Sequence, residues 1–329
     1  MIFKNMRSPG FLLALQDQLE RLDYSVLERV NRSGGLDVRD LIDYLLKPID
    51  YSVIDACRPD PSTYKDNTES PVDAFWVGKD SLTSGQTAFV LIATPESFIV
   101  PDGFDCSILE TNLMKTSWVK KTFVLIDPRD RSKVEKMIAR LGRGNIVLVE
   151  GHLTFLLTPD NRLHEGDENY CLSSCGSGDV IGSLVESDLI DSRTEYIFVS
   201  DANNFLGCSK PALVGQHIDG KKPVTCEITS RSDKNKTFFC EHAGFNQLIE
   251  SYRVLNQTDD FIHTGTETFV FNASVLKDSI KWKWHRRKVN VEGKIVVRFE
   301  RTLCDLTCNY QTQFIFNPRH FCYSPLTFK

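Results

Sequence analysis

Thr122-Phe123-Val124-Leu125-Ile126, then Arg131 to Leu141, then Asn145-Ile146-Val147-Leu148-Val149 decide the fold. Two short apolar runs flank a segment with helical spacing. Strand, helix and strand at this spacing make a βαβ unit. The pattern extends in both directions. Ala88-Phe89-Val90-Leu91-Ile92-Ala93 and Tyr196-Ile197-Phe198-Val199-Ser200 read as further buried strands, and Gly182 to Ile190 reads as a helix. Strands without polar alternation are covered on both faces, which predicts a mostly parallel sheet. Thr268 to Phe271, Ile295 to Phe299 and Phe314 to Phe316 are expected to add strands. The expected fold class is α/β, with a Rossmann-like, mostly parallel sheet and a small N-terminal helical region.

That region begins with Phe11, Leu12, Leu15, Leu19 and Leu22, spaced for one helix face. Gly34-Gly35 ends it. Leu36 to Leu46 predicts a second helix, which Pro48 stops. Pro59, Pro61, Pro71, Gly78 and Gly85 punctuate residues 57–86, which read as a connecting wrap. The expected organisation is a helical region and wrap over 1–86, then an α/β domain over 87–329.

Composition narrows the function classes. The 329 residues are 41% hydrophobic and 25% charged, which is globular and excludes disorder or coiled coil as the main architecture. A net charge of −5 argues against a general polyanion binder, so nucleic acid is not an expected partner. Apolar runs are strand-length, so no membrane span is expected. No export signal is read at the N-terminus, and ten cysteines are too few for a disulfide scaffold. Reduced thiols and a cytoplasmic location are the expectation. Cys171/Cys175 and Cys304/Cys308 lack the usual zinc spacing and read as buried thiols. Lys281 to Lys288 is a basic-aromatic stretch, read as a phosphate-facing wall or a solvated helix end. His217, His242 and His263 form no nucleophile–base arrangement.

Ligands of open α/β sheets sit beyond the carboxyl ends of the strands. The junctions of interest are therefore Thr94, Asp127, Glu150 and Asp201 onward. An aspartate ending a buried strand suits a divalent cation held against phosphate. It equally suits a turn or helix cap.

Several motifs fall in an order that resembles the eukaryotic UDP-N-acetylglucosamine pyrophosphorylases and the wider UDP-sugar pyrophosphorylase superfamily. Val149-Glu150-Gly151-His152-Leu153 resembles a Gln-Gln-Gly-Met-Leu segment whose Gln reads uracil. Ser174-Cys175-Gly176-Ser177-Gly178-Asp179 resembles the glycine loop against the nucleoside. Phe198-Val199-Ser200-Asp201 resembles the strand ending in the metal-binding Asp, with Asn203 as an alternative register. Phe239-Cys240-Glu241 and Phe271-Asn272-Ala273-Ser274 resemble sugar-binding segments. His285 to Glu300 resembles a stretch with a phosphate-facing lysine, here Lys294, and a terminal acid, here Glu300. Ser324-Pro325-Leu326 follows as in the family.

The resemblance implies transfer of a uridylyl group from UTP to N-acetylglucosamine 1-phosphate, giving UDP-N-acetylglucosamine and pyrophosphate. It implies Mg²⁺ at Asp201 and Glu300, Lys294 as the catalytic cation, Glu150, Gly151, Gly176 and Gly178 at the nucleotide, and Glu241 and Asn272 at the sugar. UTP or a UDP-sugar and a sugar 1-phosphate are the implied ligands.

One motif breaks. The family's glycine-rich phosphate loop would follow the first strand, where this chain has Thr94-Pro95-Glu96-Ser97-Phe98. Pro95 has no N–H to donate, and Glu96 adds negative charge where phosphate would sit. Ile228 stands where a family lysine is expected, and the family's C-terminal lobe is expected to be missing. The expectation is a member with little or no turnover, unless Ser84-Gly85-Gln86 or Lys115 supplies another cradle. The alternative is a non-catalytic nucleotide-sugar-binding protein or a protein-interaction scaffold, with a protein as partner.

Overall fold

The structure is a computed structural model. It describes residues 56, 58–66, 72–160, 162–165, 172–208, 210–232, 237–254, 261–278, 284–291 and 293–322. The helices expected before Pro48, Cys171, and Ser324-Pro325-Leu326 lie outside the described residues, as does most of the segment before the boundary expected at residue 86.

In chain order the elements begin with β1 (Lys65–Asp66), α1 (Val72–Ser84), β2 (Thr87–Ile92) and α2 (Ile108–Lys115). Then come β3 (Thr122–Ile126), α3 (Arg131–Leu141), β4 (Ile146–Glu150), β5 (Leu153–Phe155) and β6 (Leu172–Ser174). Next are α4 (Asp179–Ser187), β7 (Tyr196–Asp201), α5 (Pro211–Gly220) and β8 (Val224–Ser230). The hairpin β9 (Thr237–His242) and β10 (Phe245–Glu250) precedes β11 (His263–Asn272). A second hairpin, β12 (His285–Val291) and β13 (Lys294–Glu300), precedes α6 (Asp305–Asn309), β14 (Thr312–Phe316) and α7 (Arg319–Cys322).

Two compact units divide the chain. The larger comprises 52–150, 183–281 and 303–329. It holds an eight-stranded sheet in the order β1-β14-β8-β11-β7-β2-β3-β4. Only β11 runs antiparallel to its neighbours. The expected α/β sheet is therefore present, with the β3–α3–β4 unit at one end. Phe89, Leu91, Val124, Phe198, Val270 and Ile315 form its buried core with Leu109, Leu113 and Leu213 from the helices. The expected strand over 295–299 exists, but it belongs to the smaller unit, which includes 151–182 and 282–302.

Local chemistry sets the helix ends. Ser107 and Glu110 form a reciprocal capping box at the start of α2. Gly142, at φ +62°, ends α3. Pro211 opens α5, where a missing N–H costs nothing.

Two sequence readings change. Residues 57–86 are not simply a wrap, because 13 of them form α1. Gly78 reads locally as a breaker, yet it sits mid-helix. A methyl there would strike the Pro211 carbonyl, and one on Gly215 would strike the Ala74 carbonyl. The two glycines let α1 and α5 approach backbone to backbone. Likewise, His285 to Lys288 is not a helix end but one strand of a hairpin.

Alanine normally stabilises a helix interior by about 1 kcal/mol over glycine. Gly215→Ala should have the opposite sign here and cost about 2 kcal/mol or more through overpacking, read as a lower urea midpoint. An unchanged or raised midpoint would refute the close-contact account.

Candidate functional site

Strand register places the expected junctions of the larger unit on one edge. Ile92 pairs with both Asp201 and Leu125, and Ile126 pairs with Glu150. Asp201 is the last residue of β7, and Asn203 and Asn204 lie in the loop beyond it. One Asp201 oxygen accepts the Asn203 N–H at 2.8 Å, so part of this carboxylate caps the turn. Helix α2 fastens the loop. Asn112 donates to the Ala202 carbonyl at 2.7 Å and accepts from the Cys208 thiol at 3.2 Å. Lys115 donates to the Phe205 carbonyl at 2.9 Å. Burial pulls the Lys115 ammonium below its ordinary value.

The turn after β2 lies beside Asp201. Its Ser97 N–H bonds back to the Thr94 carbonyl at 2.9 Å, and the Ile99 N–H to the Glu96 carbonyl at 3.1 Å. Pro95 has no N–H, and Glu96 is exposed. Of the two replacement cradles considered from the sequence, Lys115 meets the loop after β7 and Ser84-Gly85-Gln86 lies at the other end of β2. Lys115 is committed to Phe205. Ser84-Gly85-Gln86 precedes β2, whose first residue pairs with Tyr196 at the opposite edge of the sheet from Asp201.

The other expected residues of this unit scatter. Glu150 is half exposed and meets Arg131 at 2.6 Å. Asn272 pairs with Tyr196, at the far edge from Asp201, and its side-chain oxygen accepts from His217 Nε2 at 3.0 Å. His217 Nδ1 then accepts from the Thr225 hydroxyl at 2.8 Å. Glu241 pairs with Asn246, next to the β9–β10 turn. The hairpin's other acid, Glu250, pairs with Thr237 at the root, near the start of β11, and is buried. Leu248-Ile249-Glu250 is an apolar run ending in an acid, the same signal that marks Glu150 and Asp201.

Ile228 is fully buried. Next to it, Glu227 is buried too and ion-pairs with Lys210. Thr266 Oγ1 and Asn317 Nδ2 each donate to Glu227 at 2.6 Å, so the buried carboxylate is fully satisfied. The local sequence around Glu227 gives no sign of this cluster, because its partners Lys210, Thr266 and Asn317 come from three separated segments.

In the smaller unit, the loop expected to face a nucleoside is packed on the end of β13. Gly176 has φ +86°, and a methyl there would lie 2.9 Å from Glu300 Cβ. One on Gly178 would lie 2.8 Å from the Thr302 nitrogen. The glycines are thus needed for contact with this chain's own backbone. Gly151 precedes His152, whose Nδ1–H donates to Asp179 at 2.5 Å. His152, Asp179 and Arg301 form one buried network, with Trp284 stacked 4.7 Å from the Arg301 guanidinium. Burial pushes the Asp179 carboxyl up, but the His152 hydrogen bonds and the His152 and Arg301 charges outweigh it and hold the carboxyl below its ordinary value. Lys294 is exposed at the opposite end of β13 from Glu300, about 20 Å away at ordinary strand rise.

The residues fit a divalent cation unequally. Glu300 is buried, and Arg287 and Arg298 each take one of its oxygens. A carboxylate held by two guanidinium groups is a poor cation ligand. Asp201, partly exposed at the strand end, fits better. Among the described residues no three His, Cys, Asp or Glu side chains are grouped to hold a metal ion, and the described cysteines are all free thiols. No helix among them is long and apolar enough to cross a membrane.

No protein-family model matches the sequence, and no curated protein matches it. Solved structures do. The UDP-N-acetylglucosamine pyrophosphorylase of Trypanosoma brucei aligns over 99% of this chain and 79% of its own, with 14% identity and a TM-score of 0.71. A mutant UDP-glucose pyrophosphorylase of Leishmania major, in complex with UDP-glucose, aligns over 96% of this chain and 77% of its own, with 12% identity and a TM-score of 0.68. The chain has the UDP-sugar pyrophosphorylase fold. The sequence resemblance, carried by scattered motifs, is matched at the level of the whole chain trace.

Asn112→Ala removes two hydrogen bonds and strands the Ala202 carbonyl, so it should cost about 2 kcal/mol in urea unfolding. Burial draws the His217 imidazole down to about 4, although its bond to Asn272 resists this. The unfolded chain, near 6.5, binds the proton first. Stability should therefore fall as pH drops from about 6.5 to about 4, by about 3 kcal/mol in full. The slope should flatten in His217→Gln, read from urea midpoints across that window.

Proposed function

We propose that this chain binds a UDP-sugar on a pyrophosphorylase scaffold and turns it over slowly or not at all. The observation that supports loss of turnover is the turn at 94–99, where the Ser97 and Ile99 N–H groups are spent internally, Pro95 has none, and Glu96 is exposed. Removing one oxyanion-type donor costs about 10²–10³ in rate, and here several are unavailable. The fold of the structural relatives and the strand-end position of Asp201 support the ligand class. UDP-N-acetylglucosamine is the preferred sugar nucleotide, from the sequence resemblance.

In the smaller unit the resemblance assigns Gly151, Gly176 and Gly178 to the nucleoside, and Gly176 and Gly178 already pack against this chain's own backbone. Lys294 there is an exposed cation for phosphate, and Glu300 is held too tightly by arginines to join a metal. In the larger unit Asp201 would hold Mg²⁺, which when bound neutralises phosphate charge. Glu150 is engaged by Arg131, and as a carboxylate it accepts but cannot donate to uracil. Glu250, at the hairpin root, is a stronger candidate than Glu241 for accepting sugar hydroxyls. Asn272 serves His217 and is set aside.

The test is one preparation with two readouts. Protein, Mg²⁺, UTP and N-acetylglucosamine 1-phosphate are incubated and pyrophosphate is measured. UDP-N-acetylglucosamine is titrated into the same protein by calorimetry. Binding with no pyrophosphate above an Asp201→Ala control is expected. Asp201→Ala should also remove the Mg²⁺ dependence of binding. Robust pyrophosphate release would show that the turn is not a barrier, and absence of binding would leave the scaffold reading in its place.

A further inference from the structure

The glycine loop of the smaller unit closes on itself through the Asp179 N–H to the Gly176 carbonyl at 3.2 Å and is also tied to two other segments. Three backbone bonds fasten it: Cys175 N–H to the His152 carbonyl at 3.2 Å, Gly178 N–H to the Arg301 carbonyl at 3.0 Å, and Arg301 N–H to the Cys175 carbonyl at 2.7 Å. The segments they join, 151–152, 175–178 and 301, are far apart in sequence. One side chain touches the two outer segments. Asp179 accepts the His152 backbone N–H at 2.7 Å and its Nδ1–H at 2.5 Å, and it ion-pairs with Arg301. It also opens α4, where negative charge suits the helix start. The His152 ring is pressed against α4, since a methyl on Gly182 would come within 3.2 Å of its Cε1. Trp284 covers Arg301 from another side.

We infer that Asp179 is a positioning residue: by holding His152 and Arg301 together it sets the backbone of residues 175–178 before any ligand arrives. The loop's ligand rests on the function proposed above, but the loop's shape does not. A preset loop spares binding the entropy of ordering these residues. His152 and Arg301 are then the two arms through which Asp179 acts. Two features separate this from generic burial. The carboxylate is satisfied from both sides by directional donors, and it sits one residue beyond the second glycine, so any shift of its side chain moves the loop.

The test uses the full chain with Asp179→Asn, His152→Asn and His152→Leu. Asparagine at 179 keeps the size but loses one acceptor. Asparagine at 152 keeps a donor near the Nδ1 position, whereas leucine does not. Amide hydrogen exchange is first measured without ligand. In Asp179→Asn and His152→Leu, the amides of Cys175, Gly178 and Arg301 should exchange at least tenfold faster, with the β12–β13 ladder unchanged. His152→Asn should stay within about threefold of wild type. UDP is then titrated by calorimetry, and its affinity should fall at least tenfold in the first two variants and recover in His152→Asn. Unchanged loop exchange overturns the inference. So does acceleration that spreads equally along β12–β13, which would make Asp179 a support of the whole unit. Faster loop exchange with unchanged UDP affinity also overturns the positioning role. A wild-type chain that binds no UDP counts against the proposed function instead, and the exchange data alone then decide whether Asp179 holds the loop.

Discussion

Strand β7 is the constraint on which the larger unit depends. It is paired on both sides, in parallel with β2 and antiparallel with β11, and its central residues are fully buried. A strand enclosed in this way has no tolerance for slippage, because a shift of one residue would turn every side chain to the other face. Its register with β2 therefore fixes where Asp201 ends, and with it the edge shared by the 94–99 turn and Glu150. Its register with β11 sends Asn272 to the opposite edge. A single buried strand thereby sorts the candidate residues into those that share an edge and those that do not.

The chemistry at that edge differs from what a triphosphate requires. A phosphate cradle needs several unspent N–H groups converging on one point, with cations behind them. In the turn after β2 the Ser97 and Ile99 N–H groups close on the turn's own carbonyls, and Pro95 has no N–H to offer. Lys115 donates to the Phe205 carbonyl, Lys210 pairs with Glu227, and Lys133 lies over the Phe98 ring, 4.0 Å from its centroid. In the smaller unit Arg287 and Arg298 stand opposite each other across the hairpin and are held in check by Glu300 between them. These cations stabilise the protein, and they are correspondingly less available to a ligand.

The central strands were legible because burial on both faces demands uninterrupted apolar runs, and 122–126, 146–149 and 196–200 supply them. Helix α3 was legible because its apolar positions repeat at helical spacing and Gly142 closes it. Helix α1 was obscured by Gly78, whose reason lies in α5 about 130 residues away. The β12 strand was obscured because arginines at successive positions carry no alternation, and their neutralisation by Glu300 depends on hairpin pairing. Gly176 and Gly178 lie against the backbone of Arg301 and Thr302, a close approach that the local sequence does not show.

The α/β class, the βαβ unit, the strand that ends at Asp201 and the loss of glycines after the first strand can all be read from short stretches of the chain. These follow from local composition, since apolar runs, helical spacing and the chemistry of Pro and Gly act over a few residues. Only the tertiary structure decided which acids share an edge, that Glu250 and not Glu241 lies at the hairpin root, and that Asp179 joins His152 to Arg301. Those outcomes depend on register and on pairings between segments up to about 150 residues apart, and no short stretch of chain carries the energy that selects them.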